Sequence, residues 1–273
     1  MSESSAGYLE TGHEAATPIS DTYLRRFVRN WIETNESIAE ALGAGTIRSE
    51  WFWAADTGRP ATYTNTATLI RPATGDPTEV MGELEAFFAA HDRGVHRETY
   101  LFSPWPTPDL RRFGWSLGGH PPLHILPAGA LRPTAPERLR ILRIGDSATL
   151  GTLERVAIAG YPFYGFEQSP AGVLFDPKLL SNPKMRFWLG TEDDRPVGVA
   201  IAAIDHGINQ VMLIVTLPEA RGRGYGAAMT WEASLADPSL PAMLLSSDLG
   251  RPVYERMGYL PLIRFTVWYR PRT

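Results

Sequence analysis

Apolar residues in the first half of the chain recur at helical spacing in two places and at strand spacing in others. The helical pattern predicts helices over residues 21–42 and from residue 76 onward. Short runs of apolar, threonine and aromatic residues predict strands, at residues 51–53, 62–70 and 99–102. Another short helical piece is expected over residues 107–122, where it ends at two prolines.

The second half of the chain shows a longer series of strand and helix patterns. Over residues 137–270 the predicted order is strand, helix, helix, three antiparallel strands, helix, strand, helix and strand. The preceding residues 126–136 contain three prolines and one glycine, a composition typical of a linker. We therefore expect a mobile tail at residues 1–18, an N-terminal domain at 19–130 and a C-terminal domain at 131–273.

A glycine-rich segment of the second half, residues 217–226, carries the first candidate chemistry and is called the glycine turn. It follows the apolar run 211–215, which predicts a buried strand, and it precedes a helical pattern. Gly222, Gly224 and Gly226 occupy alternate positions in it. A strand, a glycine-rich turn and a helix start favour anion binding, because free backbone N–H groups and the helix dipole attract negative charge.

Three kinds of phosphate-binding turn are candidates for this segment. A P-loop requires Gly-Lys-Ser or Gly-Lys-Thr, which the turn lacks. The dinucleotide fingerprint fits the glycines and Ala227, with Asp248 as the ribose-binding acid, but the first glycine lies too far from the strand. Only 46 residues follow Ala227, too few for a doubly wound sheet. The third kind is Arg-x-x-Gly-x-Gly, matched by Arg221, Gly224 and Gly226.

A second motif follows the first across a predicted helix and strand. Tyr254 lies on a predicted short helix, four residues before the pair Gly258 and Tyr259. Ser247 or Asp248 is suited to cap that helix. In this order and spacing, the two motifs resemble those of the GCN5-related N-acetyltransferases, the GNAT superfamily.

The resemblance implies a fold and an activity. The fold is the GNAT fold of the α/β (α+β) class, with a mixed and mostly antiparallel central sheet flanked by helices. The first half has a similar order of elements, so two such domains in tandem are expected. The implied activity is that of an N-acetyltransferase, which moves an acetyl group directly from acetyl-CoA, as co-substrate, to an amine acceptor.

The resemblance also implies roles for individual residues. Tyr254 is expected to be catalytic, as a hydrogen-bond donor to the leaving thiolate. The expected cofactor-binding residues are Ile214, Val215, Thr216, Arg221, Gly222, Arg223, Gly224, Tyr225, Gly226, Ala227 and Ser247. No metal site is expected, because two prolines between His120 and His124 rule out a regular helix there.

The general base and the acceptor are not assigned by the sequence. Glu219, Asp205 and His206 lie near the ends of the central strand and remain alternatives for the base. A small amine, an antibiotic, an amino acid or a protein N-terminus would each fit as the acceptor.

Two other functions remain open. One is a non-catalytic acyl-CoA-binding or regulatory module. The other, more distant, is a serine hydrolase, since Ser116 lies in a Gly-x-Ser-x-Gly sequence and is followed by Asp193, Asp194 and His206 in the order of a hydrolase triad.

The turn of the first half that corresponds to the glycine turn is expected to be a poor anion site. Residues 71–77 contain one glycine, an acid at Asp76, and two prolines that lack an N–H group. The N-terminal domain is therefore expected to be a degenerate copy that binds no coenzyme A.

Composition narrows the partners and the location. The net charge is −4 with no long basic run, which argues against nucleic acid as a partner, and the absence of cysteine excludes disulfides. No apolar run approaches the roughly 20 residues of a membrane helix, and no signal peptide is visible, so a cytoplasmic location is expected. Lys178 and Lys184 are the only lysines, an arginine bias that suggests a GC-rich bacterial genome. A homodimer remains an option.

Overall fold

A computed structural model describes residues 23–60, 64–73, 75–161, 166, 169, 171–248 and 250–272. The tail expected at residues 1–18 lies outside these residues. Within them the chain forms two mixed β-sheets with helices packed on both, as the sequence predicts. None of the helices described combines the length and the hydrophobicity that crossing a membrane requires.

The N-terminal sheet has the strand order β1-β2-β3-β4-β13-β5. Its strands are β1 (Gly45–Arg48), β2 (Phe52–Asp56), β3 (Thr66–Leu69), β4 (Arg97–Ser103), β5 (Ser116–Gly119) and β13 (Thr266–Arg272). Neighbouring strands are antiparallel except β3 and β4, which are parallel. Helix α1 (Tyr23–Ala41) packs on one face and α2 (Thr78–Ala90) on the other.

The C-terminal sheet has the strand order β12-β6-β11-β10-β9-β8-β7. Its strands are β6 (Pro122–Leu126), β7 (Leu139–Arg143), β8 (Met185–Glu192), β9 (Arg195–Asp205), β10 (Ile208–Thr216), β11 (Ala242–Leu245) and β12 (Leu260–Arg264). Here β10 and β11 are the parallel pair. Helix α3 (Ser147–Gly160) packs on one face, and α4 (Tyr225–Ser234) and α5 (Arg251–Arg256) pack on the other.

The two sheets exchange one strand each. β6 comes from the first half of the chain but lies between β11 and β12, where Leu123 pairs with Leu245. β13 comes from the second half but lies between β4 and β5, where Trp268 pairs with Leu101. The domain boundary between residues 130 and 131 remains a prediction. Each side of this boundary supplies one strand, β6 or β13, to the sheet of the other half.

From α1 and from α3 onward, the helices and strands follow in the same order in the two halves. Each half has a strand–helix–strand unit with parallel strands, β3-α2-β4 or β10-α4-β11, followed by a short helix and a glycine–aromatic pair. These pairs are Gly114-Trp115 and Gly258-Tyr259; both glycines have positive φ and both aromatic residues are buried. An edge strand and an exchanged strand follow in each half. The expected tandem arrangement is therefore confirmed.

Helix α1 lies between the two sheets and joins them. Phe27 is fully buried and belongs to one cluster with Trp53 of the N-terminal sheet and Ile208 of the C-terminal sheet. The Asn30 side-chain amide donates to the carbonyl of Ala203 at 3.1 Å. Because burial of a side chain such as Phe27 contributes about 2 kcal/mol, this shared core stabilises the two halves together.

The structure differs from the sequence prediction at residues 107–122. A single 3-10 turn at Arg111–Phe113 and strand β5 replace the expected helical piece. A Cβ on Gly118 would lie 3.2 Å from the carbonyl oxygen of Val267, so β13 approaches β5 closely only because β5 has small residues. These small residues conceal the alternation that predicts a strand. The chain also ends in two strands, β12 and β13, where one was expected.

Candidate functional site

Strand β10 separates from β11 part way along its length. Among the residues described, β10 is in register with β11 only at Asn209 and Gln210, although it continues to Thr216. On the β9 side its register shifts between Val211 and Ile214, which marks a β-bulge. A bulge bends its strand, and here a gap opens between β10 and β11 beyond Gln210. We call it the strand gap.

The glycine turn leads from the strand gap to helix α4 without a capping side chain. Gly222 and Gly224 have φ values of 77° and 79°, which L side chains rarely adopt. Gly224 is the N-cap residue of α4, and no side chain bonds to the first turn of the helix. The first N–H groups of α4 are therefore available to an anion, which the helix dipole also favours.

Small residues bring the start of α4 against the end of β10. A Cβ on Gly226 would lie 3.3 Å from Oγ1 of Thr216, and a Cβ on Gly224 would lie 3.4 Å from Cγ of Pro136. At Gly222 a Cβ would meet open space. The anion position and the strand gap are thus close enough to accept two parts of one ligand.

Arg221 ties the glycine turn to its surroundings and remains exposed. Its Nε donates to the carbonyl of Thr216 at 3.1 Å, and a terminal nitrogen donates to the carbonyl of Gly160 at 3.0 Å. These bonds join the turn to the ends of β10 and α3. The guanidinium of Arg221 is exposed at the turn and keeps N–H groups for an anion.

Arg223 and Tyr225 turn their side chains toward Glu192, at the end of β8. Arg223 donates to Oε2 of Glu192 at 2.6 Å, and the Tyr225 hydroxyl donates to Oε1 at 2.7 Å. The hydrogen bond to Glu192 also raises the pKa of Tyr225. In this arrangement, what these two residues offer a ligand at the glycine turn is their backbone N–H groups.

The remaining residues expected at the cofactor site lie along the same path. Ile214 packs toward α4 and α5, and Val215 packs toward α3, so each offers backbone groups to the strand gap. Ala227 is half-buried in the first turn of α4. Ser247 follows β11 on the other side of the gap, and its Oγ accepts the N–H of Gly250 at 3.2 Å.

Tyr254 lies on α5, in the apolar cluster that also contains Ile214. Its ring meets that of Tyr259 edge-on, with centroids 5.9 Å apart. Burial, with a smaller contribution from Tyr161, raises the pKa of Tyr254 to about 12. The hydroxyl makes no hydrogen bond with the residues described and stays protonated at neutral pH, as a hydrogen-bond donor in catalysis requires.

A cavity of about 680 Å³, the interdomain cavity, opens between the two halves beside the strand gap. The C-terminal half contributes Val211, Met212, Tyr161 and Ser246, and the N-terminal half contributes Trp31, Glu98, Tyr100 and Phe102. Ser246 is buried, and its Oγ has no hydrogen-bond partner among the residues described. A cavity of this volume, with polar groups on its walls, suits a small molecule.

The sequence prediction misses the cavity residues of the first half. Glu98, Tyr100 and Phe102 alternate along β4, so that all three side chains face the cavity. The Tyr100 hydroxyl donates to Oε2 of Glu98 at 2.6 Å, and burial followed by this bond raises the pKa of Tyr100. The spacing of these three residues at every second position indicates that they share one face of the strand. The sequence does not reveal that this face meets the other domain.

The three candidates for the general base lie away from the cavity. Asp205 and His206 lie at the turn before β10, where Asp205 makes an ion pair with Lys184 and Nε2 of His206 lies 3.0 Å from Oε1 of Glu33. That turn is about 16 Å along the strand from the start of the gap. Glu219 is exposed in the glycine turn. None of the three is among the described residues that line the interdomain cavity.

The geometry contradicts the serine hydrolase alternative. Ser116 lies on edge strand β5, whereas a nucleophile elbow requires a turn between a strand and a helix. Asp193 and Asp194 precede β9 and His206 follows it. These groups are therefore roughly 35 Å apart along the strand and cannot form a hydrogen-bonded triad.

Comparisons with known proteins agree with the fold. Residues 154–259 match the model of the Acetyltransferase (GNAT) family, and no curated protein matches the chain. A GCN5-related N-acetyltransferase from Kribbella flavida is 20% identical with a TM-score of 0.62, over 89% of this chain and 96% of that one. A tandem GNAT protein from the clavulanic acid biosynthesis pathway is 12% identical with a TM-score of 0.52, over 91% and 94%. The fold similarity thus extends over both halves.

Proposed function

We propose that the chain is a member of the GNAT superfamily that transfers an acetyl group from acetyl-CoA to an amine, because residues 154–259 match the model of that family and the fold of both halves is similar to that of GNAT proteins. One observation carries the proposal: the uncapped start of α4 and the strand gap follow one another in the C-terminal half, and the interdomain cavity opens beside the gap. This path offers an anion position, an edge of free backbone groups and a pocket for a second molecule.

The glycine turn would hold the pyrophosphate of the cofactor. N–H groups from Gly222 to Ala227 surround the start of α4, and the helix dipole adds positive potential there. Arg221 would add a charge-assisted hydrogen bond from its exposed guanidinium. The tight contact between Gly226 and Thr216 supports this assignment, because it leaves the backbone, with no side chain over it, facing the ligand.

The strand gap would hold the amide-bearing arm of the cofactor. Beyond Gln210 the β10 backbone has no β11 partner among the residues described, so it can pair with amide groups as with an added strand. The same N–H groups would polarise the carbonyl oxygen of the acetyl group. When bound, acetyl-CoA supplies an acetyl group activated as a thioester. Ser247 would contact the arm from the other side of the gap.

Tyr254 would act on the leaving sulfur as a hydrogen-bond donor. Its pKa of about 12 lies roughly 3.5 units above that of a thiol, so complete proton transfer to sulfur would cost about 5 kcal/mol. A hydrogen bond that strengthens as charge develops avoids this cost. The protonated tyrosine in the cluster with Ile214, and the cavity beside the strand gap, favour catalysis over the alternative of a module that only binds acyl-CoA.

The test is an assay of the full chain with acetyl-CoA and a panel of amines, with thiol release and acetylated product both measured. We expect turnover with at least one amine, and much slower turnover by Tyr254→Phe. Binding of acetyl-CoA without turnover of any amine would instead support a non-catalytic acyl-CoA-binding module. A chain that does not bind acetyl-CoA would contradict both functions.

A further inference from the structure

Among the residues described, one carboxylate lies in the interior of the interdomain cavity, and the N-terminal half supplies it. Glu98 is half-buried on β4, whereas the other lining acid, Asp248, is exposed after β11. Arg264, also exposed, donates to the carbonyl of His120 at 2.8 Å. The charged groups at the rim thus include both signs, and Glu98 makes the interior negative.

Glu98 has no cationic partner among the residues described. Its Oε2 accepts the hydroxyl of Tyr100, a neutral donor, and its Oε1 accepts no hydrogen bond from the described chain. A partly buried carboxylate is costly unless a cation or further donors approach it. Because Tyr100 fixes its orientation, the free oxygen of Glu98 is available to a ligand in the cavity.

Aromatic rings continue the wall from Glu98. Tyr100 stacks with Phe102 at 6.3 Å and with Tyr269 at 6.2 Å between centroids, and Phe102 lies 5.1 Å from Trp31. Such a wall suits the flat or apolar body of a small molecule. Aromatic faces beside a carboxylate also attract a cation.

We propose that the acceptor is a small primary amine with one positive charge and an aromatic or apolar body. Glu98 binds its ammonium group and takes the proton that the amine must lose before attack. This assignment rests on the proposed function and deepens it. A residue of the degenerate half thereby serves the reaction of the other half.

The step balances as follows. The ammonium gives one proton to Oε1 of Glu98, and the neutral nitrogen forms a bond to the acetyl carbon while the carbon–sulfur bond breaks. The nitrogen then loses a second proton, and the sulfur gains one and leaves as the thiol with Tyr254 as hydrogen-bond donor. Glu98 returns its proton to water. The products are the amide, the thiol and one proton.

The same geometry disfavours other amines. An amino acid would bring a second carboxylate close to Glu98, and like charges at close range cost several kcal/mol. A polyamine carries further positive charges, for which the described lining offers Asp248 at the rim and no second acid in the interior.

The experiment uses the full chain and three probes: 2-phenylethylamine, L-phenylalanine, which is the same body with a carboxylate, and spermidine. Turnover with acetyl-CoA is measured for each, and binding of each is measured by calorimetry with CoA present. The variants are Glu98→Gln and Tyr100→Phe. Glu83→Gln is the matched control, because Glu83 is an exposed glutamate on α2 of the same half.

We expect 2-phenylethylamine to be acetylated at least tenfold more efficiently than the other probes. Glu98→Gln should lower kcat/KM for it by roughly 10²-fold or more and weaken its binding, with acetyl-CoA affinity unchanged. Tyr100→Phe should have a smaller effect, about tenfold, through the lost hydrogen bond to a charged group. Glu83→Gln should behave as wild type. If Glu98→Gln does not fold, Glu98→Asp should retain amine binding but turn over more slowly.

Two results would overturn the assignment. One is turnover of 2-phenylethylamine by Glu98→Gln, or by Glu98→Asp where that variant is used, at the wild-type rate. The other is wild-type protein that binds acetyl-CoA but prefers L-phenylalanine or spermidine, or binds none of the three probes. Absence of acetyl-CoA binding by the wild type would instead contradict the proposed function, so the two failures are distinguishable.

Discussion

The strand–helix–strand units β3-α2-β4 and β10-α4-β11 have the same topology but differ in the spacing of their parallel strands. Three consecutive residues of β3, from Thr66 to Thr68, are in register with β4, and β3 has no bulge against β2. β10 is more than twice as long, yet only two of its residues are in register with β11. A ligand can therefore lie along β10, whereas the backbone of β3 is already paired.

The first turns of α4 and α2 also differ in how accessible their N–H groups are to an anion. In α4 the N-cap is Gly224, and no side chain occupies the first turn. In α2 the N-cap is Pro77, which has no N–H, and Oδ1 of Asp76 accepts the N–H of Thr78 at 3.1 Å. The hydrogen bonds to Thr78, together with the ion pair to Arg112, lower the pKa of Asp76. The anion position of α2 is thus filled by a carboxylate of the chain itself.

The short helical segments after these units, the 3-10 turn Arg111–Phe113 and α5, show which features are common to both halves. Gly114-Trp115 and Gly258-Tyr259 keep the same backbone turn and a buried aromatic ring. Four residues before the first glycine, however, the N-terminal half has the buried Leu110 where the other half has Tyr254. Packing residues maintain this fold in both halves, whereas a tyrosine at this position is present in one.

The largest expected effect comes from separating the halves. Residues 131–273 alone lack β6, which removes the buried Leu123 and Ile125 and leaves β11 and β12 with unpaired edges. We expect this fragment to be unfolded by circular dichroism and not to bind acetyl-CoA. Adding the fragment 1–130 should restore both. If residues 131–273 fold and bind acetyl-CoA without the fragment 1–130, then β6 is dispensable and the C-terminal domain is independent of the first half.

A charge introduced into each turn compares the two anion positions directly. Gly224→Glu should weaken acetyl-CoA binding by at least about 100-fold, because a carboxylate would face the phosphates. Gly75→Glu, in the turn before α2, should leave the affinity unchanged. The two glycines have nearly the same φ, 79° and 80°, so the backbone strain is matched. Equal losses in calorimetry would contradict the assignment of the site to one half.

Tyr254→Phe tests the group that the N-terminal half lacks. We expect kcat to fall by roughly 10²-fold while acetyl-CoA affinity stays unchanged, since the hydroxyl acts in the transition state. Tyr23→Phe, at an exposed tyrosine of α1, is the control and should retain full activity. A rate within about threefold of wild type would assign Tyr254 to packing, as for Leu110.

The smallest expected effect concerns the pH dependence of kcat. Because burial raises the pKa of Tyr254 to about 12, its hydroxyl remains protonated as the pH rises through 10. Once the amine binds in its reactive form, kcat should stay constant between about pH 8 and pH 10.5. A tyrosine with the ordinary pKa near 10 would lose about three quarters of its activity by pH 10.5. If kcat of the wild type decreases in this way and kcat of Tyr254→Phe does not, the claim that burial raises the pKa of Tyr254 is wrong.

The sequence predicts those parts of the site that depend on neighbouring residues. The apolar run of β10, the alternate glycines and Tyr254 before Gly258 lie within short segments, so their geometry follows from local preferences. Strand exchange depends instead on pairings between distant residues, such as His124 with Leu244. The role of Glu98 depends on that exchange and on the packing of α1 between the sheets, and no local pattern carries this information.

The number of acetyl-CoA molecules bound per chain tests the contrast between the halves most directly. Isothermal titration of the full chain with acetyl-CoA measures this number without reference to any acceptor. We predict a stoichiometry near one, with the site lost in Gly224→Glu. A stoichiometry near two, or binding that Gly224→Glu leaves intact, would mean that the turn before α2 also holds a cofactor, and the assignment of the two halves to different roles would be wrong.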